Sequence, residues 1–204
     1  MALAKLKEKS LSDSWTVEEY LEFERISPVR HEYVDGQLYA MSGESKNHNR
    51  LAGKLYLELS LHLADGECEA FIENVKVKVS SSLYYYPDVI VSCSEPAEDE
   101  NAYIIEDPIL IVEVLSPTTT RNDRVEKMNA YQKLPSLHEY IIISQDFPRV
   151  EIYRHSAAGA PWQREMLENL EAEVFLQSVG LKIELAGIYR RVRWAAETEE
   201  RQEN

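Results

Sequence analysis

The sequence has no apolar stretch long enough to cross a membrane as a helix, because no hydrophobic run reaches the roughly 18–20 residues that a bilayer requires. Its amino-terminal segment, residues 1–9, is apolar only in short pieces between charged residues, which is not the pattern of a secretory signal peptide. We therefore expect a protein that has no membrane contact and works in the cytoplasm.

Cysteine is also scarce. Cys68 and Cys93 are the only two, and their spacing is not that of a metal site. Two isolated cysteines are typical of a reducing compartment, so we expect free thiols and a cytoplasmic localisation.

Basic residues are few compared with acidic ones. The chain has 22 Lys and Arg against 36 Asp and Glu, which gives a formal net charge of −14. Clustered Lys and Arg supply most of the non-specific affinity for nucleic acid, so this balance argues against an extended DNA-binding surface. The same acidity also keeps an ordinary cytoplasmic protein soluble, so it does not by itself identify a function.

Internal repeats and low-complexity linkers are absent too. With 204 residues, 44% of them hydrophobic, the chain can bury one sizeable core. We expect a single domain over residues 14–193, preceded by a tail at 1–13 and followed by a charged tail at 194–204.

Hydrophobic periodicity predicts helices alternating with strands. Predicted helices cover Ser14–Phe23, Asn47–Ala64 and Asn122–Leu134, and an Asp35-Gly36 turn closes a hairpin over Arg30–Met41. The expected strands cover Cys68–Val79, Pro87–Ser92, Ile109–Leu115, Glu139–Ser144, Val150–Arg154, Trp162–Leu167 and Glu173–Phe175; residues 94–107 form an acidic loop, and Leu181–Val192 a strand or loop segment.

The order strand, helix, strand over residues 109–144 predicts a parallel strand pair with the first strand covered on both faces. The strand Cys68–Val79 is predicted to be half exposed, with Lys76 and Lys78 on its solvent side. The fold class is α/β (α+β), a mixed β-sheet flanked by helices.

Three side chains stand out because a packed core does not need them. Glu113 interrupts an apolar strand, where an ionised carboxylate without a partner costs several kcal/mol. Asp88 follows Pro87 at the start of another strand and can reach the same cleft. Two close carboxylates are typical ligands of Mg²⁺.

Lys127 belongs with these two residues through helical geometry. It shares one stripe of the predicted helix with Tyr131 and Leu134, so it can point toward the sheet. A lysine beside a metal ion orients a water nucleophile or stabilises charge on a phosphate. The alternatives are a Glu113 side chain that reaches water or caps a neighbour at the strand exit, a turn role for Asp88, and a surface ion pair between Lys127 and Asp123.

The residues Pro87-Asp88, Val112–Pro117 and Asp123–Tyr131 together resemble the Uma-type family of restriction-endonuclease-like proteins, a domain of unknown function in the PD-(D/E)XK nuclease superfamily. The segment His31–Gly36 matches an early Glu-containing motif of that family, and His48 matches a histidine that opens a helix. The superfamily places a lysine two residues after the glutamate, where this chain has Leu115; the Uma-type pattern places it at the position of Lys127.

The resemblance implies a restriction-endonuclease-like fold and a metal-dependent DNA endonuclease. Asp88 and Glu113 would bind Mg²⁺ or Mn²⁺, Lys127 would complete the catalytic set, and Glu32 and His48 would support it. DNA is the expected partner, and a homodimer is the expected assembly if both strands are cut. The basic residues expected beside the cleft are Lys127, Arg121, Arg124, Lys76 and Lys78. Two other functions stay open: a non-catalytic binding protein on the nuclease fold, and a metal-dependent hydrolase of a substrate other than DNA.

Overall fold

Two mixed β-sheets and a small antiparallel hairpin, flanked by helices, form the part of the chain that the structure describes. The structure, a computed structural model, describes residues 9–93, 103–115, 122–155 and 160–194, with the backbone alone at residues 122–124. The predicted tails and acidic loop fall in part outside these ranges, at residues 1–8, 195–204 and 94–102.

The helices and strands are short apart from one long helix. The helices are α1 (Val17–Glu24), α2 (Lys46–Leu63), α3 (Met128–Tyr131) and α4 (Leu185–Ile188), and a π-helical segment, Asn122–Lys127, leads into α3. The strands are β1 (His31–Val34), β2 (Gln37–Ala40), β3 (Glu69–Ile72), β4 (Lys76–Ser80), β5 (Leu83–Tyr85), β6 (Val89–Ser92), β7 (Ile104–Ile105), β8 (Pro108–Leu115), β9 (Glu139–Ser144), β10 (Val150–Arg154), β11 (Gln163–Leu167), β12 (Glu173–Leu176) and β13 (Leu181–Glu184).

The larger sheet has the order β11-β10-β9-β8-β6-β3, and β8 runs parallel to β9 as predicted. Strand β8 is covered on both faces, as its apolar sequence indicates. Val112 and Val114 pack in one core with the buried leucines of α2, whereas Ile111 and Leu115 pack in another with Tyr131 and Tyr140. Glu113 lies on the second of these faces, since alternate residues of a strand share a face.

The smaller sheet has the order β2-β1-β5-β4-β7 and begins with the predicted hairpin. Its turn residues Asp35 and Gly36 both have positive φ angles, 47° and 90°. A Cβ atom on Gly36 would lie 3.2 Å from the Ser14 hydroxyl, so glycine suits both the φ angle and the space there. Side chains of β4 and β5 share a core with side chains of β6, β8 and β9, so the two sheets pack against each other.

The predicted single strand over Cys68–Val79 is wrong. The chain changes sheets inside it, from β3 in the larger sheet to β4 in the smaller, through Glu73 in a left-handed conformation with φ of 56°. Lys76 was expected to face solvent, but it is 5% exposed and its ammonium lies against the rings of Tyr20, Tyr86 and Tyr103. Favourable cation–aromatic contacts explain how a lysine is accommodated there.

The free thiols expected from the sequence are not present in the structure, because Cys68 and Cys93 are joined by a disulfide. Glu69 lies opposite Ser92 in the β3–β6 pair, and the same register places the two cysteines opposite each other one residue further on. Among the described residues, no helix combines the length and apolar character needed to span a bilayer.

Candidate active site

Asp88 and Glu113, the two acidic residues selected from the sequence, occupy opposite positions on neighbouring strands of the larger sheet. Val89 pairs with Val112 in the β6–β8 ladder, so the same register puts Asp88 opposite Glu113. Residues in such positions have Cβ atoms about 4.5–5.5 Å apart. The Asp88 carboxylate is fixed by the backbone of the neighbouring strand, since its Oδ2 accepts a 2.6 Å hydrogen bond from the Val114 N–H.

Glu113 is buried but its charge is compensated. Its side chain is 4% exposed, and Oε1 accepts hydrogen bonds from the Lys127 ammonium at 3.1 Å and from the Tyr131 hydroxyl at 2.9 Å. Lys127 ends the π-helical segment and Tyr131 ends α3, four residues later. The lysine that the family resemblance requires therefore comes within hydrogen-bond distance of the glutamate, although Leu115 occupies the usual position and is buried in the core.

Lys127 connects the two sheets. Its Nζ lies 3.0 Å from Oε1 of Glu32 on β1 and 3.1 Å from Oε1 of Glu113 on β8. The ammonium also lies 5.4 Å from the centre of the Tyr85 ring. Two carboxylates and an aromatic face hold the amine at the place where the sheets meet, which fixes its direction far more closely than on a free surface.

His48 lies in the first turn of α2, whose N-cap is Ser45. Its Nε2 is 3.3 Å from Oδ2 of Asp88 and 3.9 Å from the Glu44 carboxylate. Burial lowers the pKa of His48, but the hydrogen bond and charge of Asp88, with the charges of Glu44 and Glu73, outweigh burial. The pKa of His48 is therefore raised above its ordinary value of 6.5, and the imidazole carries positive charge more often at neutral pH.

The tyrosines around the site stay neutral. Burial, reinforced by the charge of Glu113, raises the pKa of Tyr131 well above 10, so its hydroxyl acts as a hydrogen-bond donor. Burial raises the pKa of Tyr85 to about 12, with the charge of Glu32 acting in the same direction and that of Lys127 opposing it. Sequence reasoning placed Tyr131 on the helical stripe of Lys127 but did not identify it as a partner of Glu113.

All five residues selected from the sequence line one cavity of about 420 Å³: Glu32, His48, Asp88, Glu113 and Lys127. Glu44 and Glu126 line it as well, so carboxylates outnumber cationic side chains in its wall. The five selected residues come from β1, α2, the start of β6, β8 and the π-helical segment. The family resemblance implies that they lie together in this way.

Comparison with known proteins agrees with this arrangement. Residues 17–186 match the model of the Uma2 family, whose description is "Putative restriction endonuclease". The chain belongs to the Uma2 family. Two relatives are the uncharacterized proteins slr1290 and sll1609 of Synechocystis sp., each 36% identical; the matches cover 85% and 78% of this chain and 90% of each relative.

The fold of this Uma2 protein is also that of a solved structure. A crystal structure from Anabaena variabilis, titled as a "putative nuclease belonging to DUF820", superposes with a TM-score of 0.71 at 19% identity. The match covers 85% of this chain and 97% of the other. The mixed α/β architecture expected from the sequence is thus confirmed as the fold of that protein.

The cationic surroundings of the Uma2 site differ from the expectation at Lys76 and Lys78. Lys78 pairs with Glu106 at 2.9 Å, Lys76 is buried among tyrosine rings, and the side chains of Arg121 and Arg124 lie outside the described residues. A second cavity of about 430 Å³ also includes Asp88 in its wall, and its cationic side chains are Arg30, Lys46 and Arg50. Sequence reasoning missed these three because they belong to no shared motif; the only local signal is the i, i+4 spacing of Lys46 and Arg50.

The donor set of the site suits a hard divalent cation that keeps water ligands. Among the described residues, no group of three or more His, Cys, Asp and Glu side chains is arranged to hold a metal ion. Mg²⁺ binds through one or two carboxylates together with waters and substrate oxygens. The carboxylates of Asp88 and Glu113 are therefore protein ligands of the right type and number for this ion. The side-chain contacts of Asp88 with the other described residues use Oδ2, so Oδ1 can bind a ligand without displacing those contacts.

Proposed function

We propose that this Uma2 protein is a metal-dependent endonuclease that hydrolyses phosphodiester bonds of DNA. The observation that carries the proposal is the position of Lys127, whose ammonium lies within 3.1 Å of both Glu113 and Glu32, beside a second strand carboxylate, Asp88. This combination of two opposed carboxylates and one oriented amine is suited to phosphodiester hydrolysis.

Asp88 and Glu113 are the residues that would hold Mg²⁺ or Mn²⁺. When bound, such an ion lowers the pKa of a water molecule and neutralises charge on the phosphate. The backbone N–H of Val114 fixes the Asp88 carboxylate, and the Lys127 ammonium and the Tyr131 hydroxyl fix the Glu113 carboxylate. The two ligands are therefore preorganised before any substrate arrives.

Lys127 orients the attacking water and stabilises negative charge that develops on the phosphate. Its hydrogen bonds to Glu113 and Glu32 direct the ammonium, since charge-assisted bonds are stronger than neutral ones. Glu32 thus acts here as a support for the lysine. His48, held against Asp88 and kept partly cationic by its raised pKa, supports the site by balancing the surrounding carboxylates and contacting phosphate.

A cleavage assay tests this function. Supercoiled plasmid and single-stranded DNA are incubated with Mg²⁺ or Mn²⁺ and the parent protein, Asp88→Ala, or Asp65→Ala. Asp65 is an exposed carboxylate just beyond α2 and serves as the matched control. We expect cleavage by the parent and the control, loss of cleavage in Asp88→Ala, and none with EDTA; equal activity in Asp88→Ala and the parent would refute the site.

A second candidate function is a metal-dependent hydrolase of a substrate less charged than DNA. The excess of carboxylates around the cavity and the net charge of −14 favour it. A panel of nucleotides, phosphodiesters and RNA in the same assay separates the two. A non-catalytic binding protein, the third possibility, would show no turnover on any of them.

A homodimer remains the expected assembly for cutting both strands, and sedimentation velocity with and without DNA measures the assembly state.

A further inference from the structure

The second cavity opens beside the candidate active site and shares part of its wall. Tyr86, Asp88 and Glu44 line both cavities, so a chain that crosses the first would continue into the second. The two differ in their cations: the wall of the first includes Lys127 and His48, whereas that of the second includes Arg30, Lys46 and Arg50. An extended polyanion thus meets three more positive side chains directly next to Asp88.

Arg30 is held in this position by the backbone that also holds Asp88. Its Nη1 donates a 2.8 Å hydrogen bond to the Glu73 carbonyl, and the Glu73 N–H donates at 3.1 Å to the Asp88 carbonyl. Glu73 adopts a left-handed conformation, which is unusual for a residue with a side chain and recurs at functional sites. The guanidinium also lies 5.9 Å from the centre of the Tyr86 ring. The arginine is therefore anchored relative to Asp88.

Lys46 and Arg50 occupy the first and second turns of α2, four residues apart, so their side chains lie on the same face of the helix. Both are exposed, and the segment Ser42–Ser45 that precedes the helix lines the same cavity. The N-terminal end of this 18-residue helix adds a partial positive charge, but the side chains contribute full charges. The carboxylates of Glu44, Glu73 and Asp88 also line this wall, so its three cationic side chains face three carboxylates, whereas two face five in the first cavity.

We propose that this second cavity binds backbone phosphates of the DNA strand next to the scissile phosphate, with one phosphate contact each from Arg30, Lys46 and Arg50. The inference rests on the proposed endonuclease function and adds the subsite that holds the strand in register. It also identifies where an acidic protein can contact a DNA strand, because the ratio of cationic to acidic side chains is higher in this cavity than in the first. Arg30 suits a phosphate because its planar guanidinium can donate two parallel hydrogen bonds.

The test is the salt dependence of DNA binding by the full chain in EDTA, measured by fluorescence anisotropy with labelled duplex and single-stranded oligonucleotides. The variants are Lys46→Gln/Arg50→Gln and, separately, Arg30→Gln. The matched control is Arg25→Gln/Lys182→Gln. It also removes two positive charges, but from exposed residues that do not line the cavity. Each lost phosphate contact on duplex DNA lowers the slope of log K against log salt by about 0.9.

We expect weaker binding and a slope lower by about 1.8 for Lys46→Gln/Arg50→Gln, a slope lower by about 0.9 for Arg30→Gln, and the parent slope for the control. In the cleavage assay the double variant should raise KM more than it lowers kcat. Parent-like binding in both cavity variants, or an equal loss in the control, overturns this subsite while leaving the endonuclease in place. A parent protein that binds no nucleic acid and cleaves none overturns both proposals, whereas binding without cleavage supports the subsite and refutes the endonuclease.

Discussion

Glu113 can remain ionised inside the protein because two donors share its Oε1 atom. The Lys127 ammonium supplies an opposite charge and the Tyr131 hydroxyl supplies a neutral donor, at 3.1 Å and 2.9 Å. Burial of a carboxylate without such partners would favour its protonated form and remove it as a metal ligand. The chemistry of the site therefore depends on Tyr131, which would touch neither metal nor substrate, as well as on Lys127.

Tyr131→Phe tests the contribution of the hydroxyl. Removing a hydrogen bond to a charged group costs about 1.5–3 kcal/mol, so the free energy of unfolding should fall by that amount in urea denaturation. Tyr84→Phe is the matched control, because Tyr84 is also buried and its hydroxyl contacts no carboxylate among the described residues. An equal loss in both variants would indicate a general cost of removing a buried tyrosine hydroxyl, and would contradict a specific contribution from the bond to Glu113.

His48 gives a pH dependence whose sign follows from its raised pKa. Because the folded protein binds the proton more tightly than the unfolded chain, the contribution to stability is complete below the unfolded pKa of about 6.5 and disappears as pH rises through the higher folded pKa. The difference in unfolding free energy between the parent and His48→Gln should therefore be largest near pH 6 and shrink toward pH 9.

The control for this measurement is His138→Gln, which removes an exposed histidine. Chemical denaturation at several pH values gives both curves, and an NMR titration of the His48 ring gives the pKa directly. A difference for His48→Gln that grows as pH rises would contradict the assigned direction.

Among the elements, β3 and β6 are joined covalently as well as by their hydrogen-bond ladder. The Cys68–Cys93 disulfide closes a loop with a sequence separation of 25 residues. Disulfides of this kind contribute about 2–4 kcal/mol by restricting the unfolded chain. Replacing both cysteines by serine should lower the unfolding free energy by that amount, and a reductant should destabilise the parent but not the variant. No response of the parent to reductant would mean that the bond does not form in solution.

Elements that are specified by a clear local sequence pattern were predicted well. The hairpin around Asp35-Gly36, helix α2 and the parallel pair β8–β9 all lie close to the predicted positions. Each depends on local patterns: a turn that favours positive φ angles, leucines at helical spacing, and an apolar run flanked by a helix.

Elements whose identity depends on tertiary partners were not predicted. The alternating valines of residues 75–79 are compatible with one long strand. In the structure the chain passes from one sheet to the other at Glu73, whose left-handed conformation the valine pattern does not indicate.

The predicted helix over Asn122–Leu134 is instead a π-helical segment followed by the short α3. Helical spacing nevertheless predicted that Lys127 and Tyr131 lie on one side and face the sheet, and the family resemblance, rather than this spacing, indicated that Lys127 joins Glu113 in the site. The cavity of Arg30, Lys46 and Arg50 combines residues from separate segments, and no local pattern identifies it.

The molecule as a whole places its candidate site where the two sheets pack against each other. Glu113 belongs to the larger sheet, Glu32 belongs to the smaller one, and Lys127 contacts both. Correct packing of the sheets is therefore required to complete the site. With a net charge of −14, the protein repels DNA at long range, and salt should weaken that repulsion while also weakening specific phosphate contacts.

The central claim is that Asp88 and Glu113 bind a divalent ion and Lys127 does not. Thermal unfolding of the parent, Asp88→Asn, Glu113→Gln and Lys127→Met with and without Mg²⁺ or Mn²⁺ tests it most directly. An ion at 100 times its Kd stabilises the folded state by about 2.7 kcal/mol, which for a chain of this size raises Tm by roughly 5–10 °C. We expect that shift in the parent and in Lys127→Met, and its loss in Asp88→Asn and Glu113→Gln. An identical shift in the parent and Asp88→Asn would show that the ion binds elsewhere, and the site assignment would be wrong.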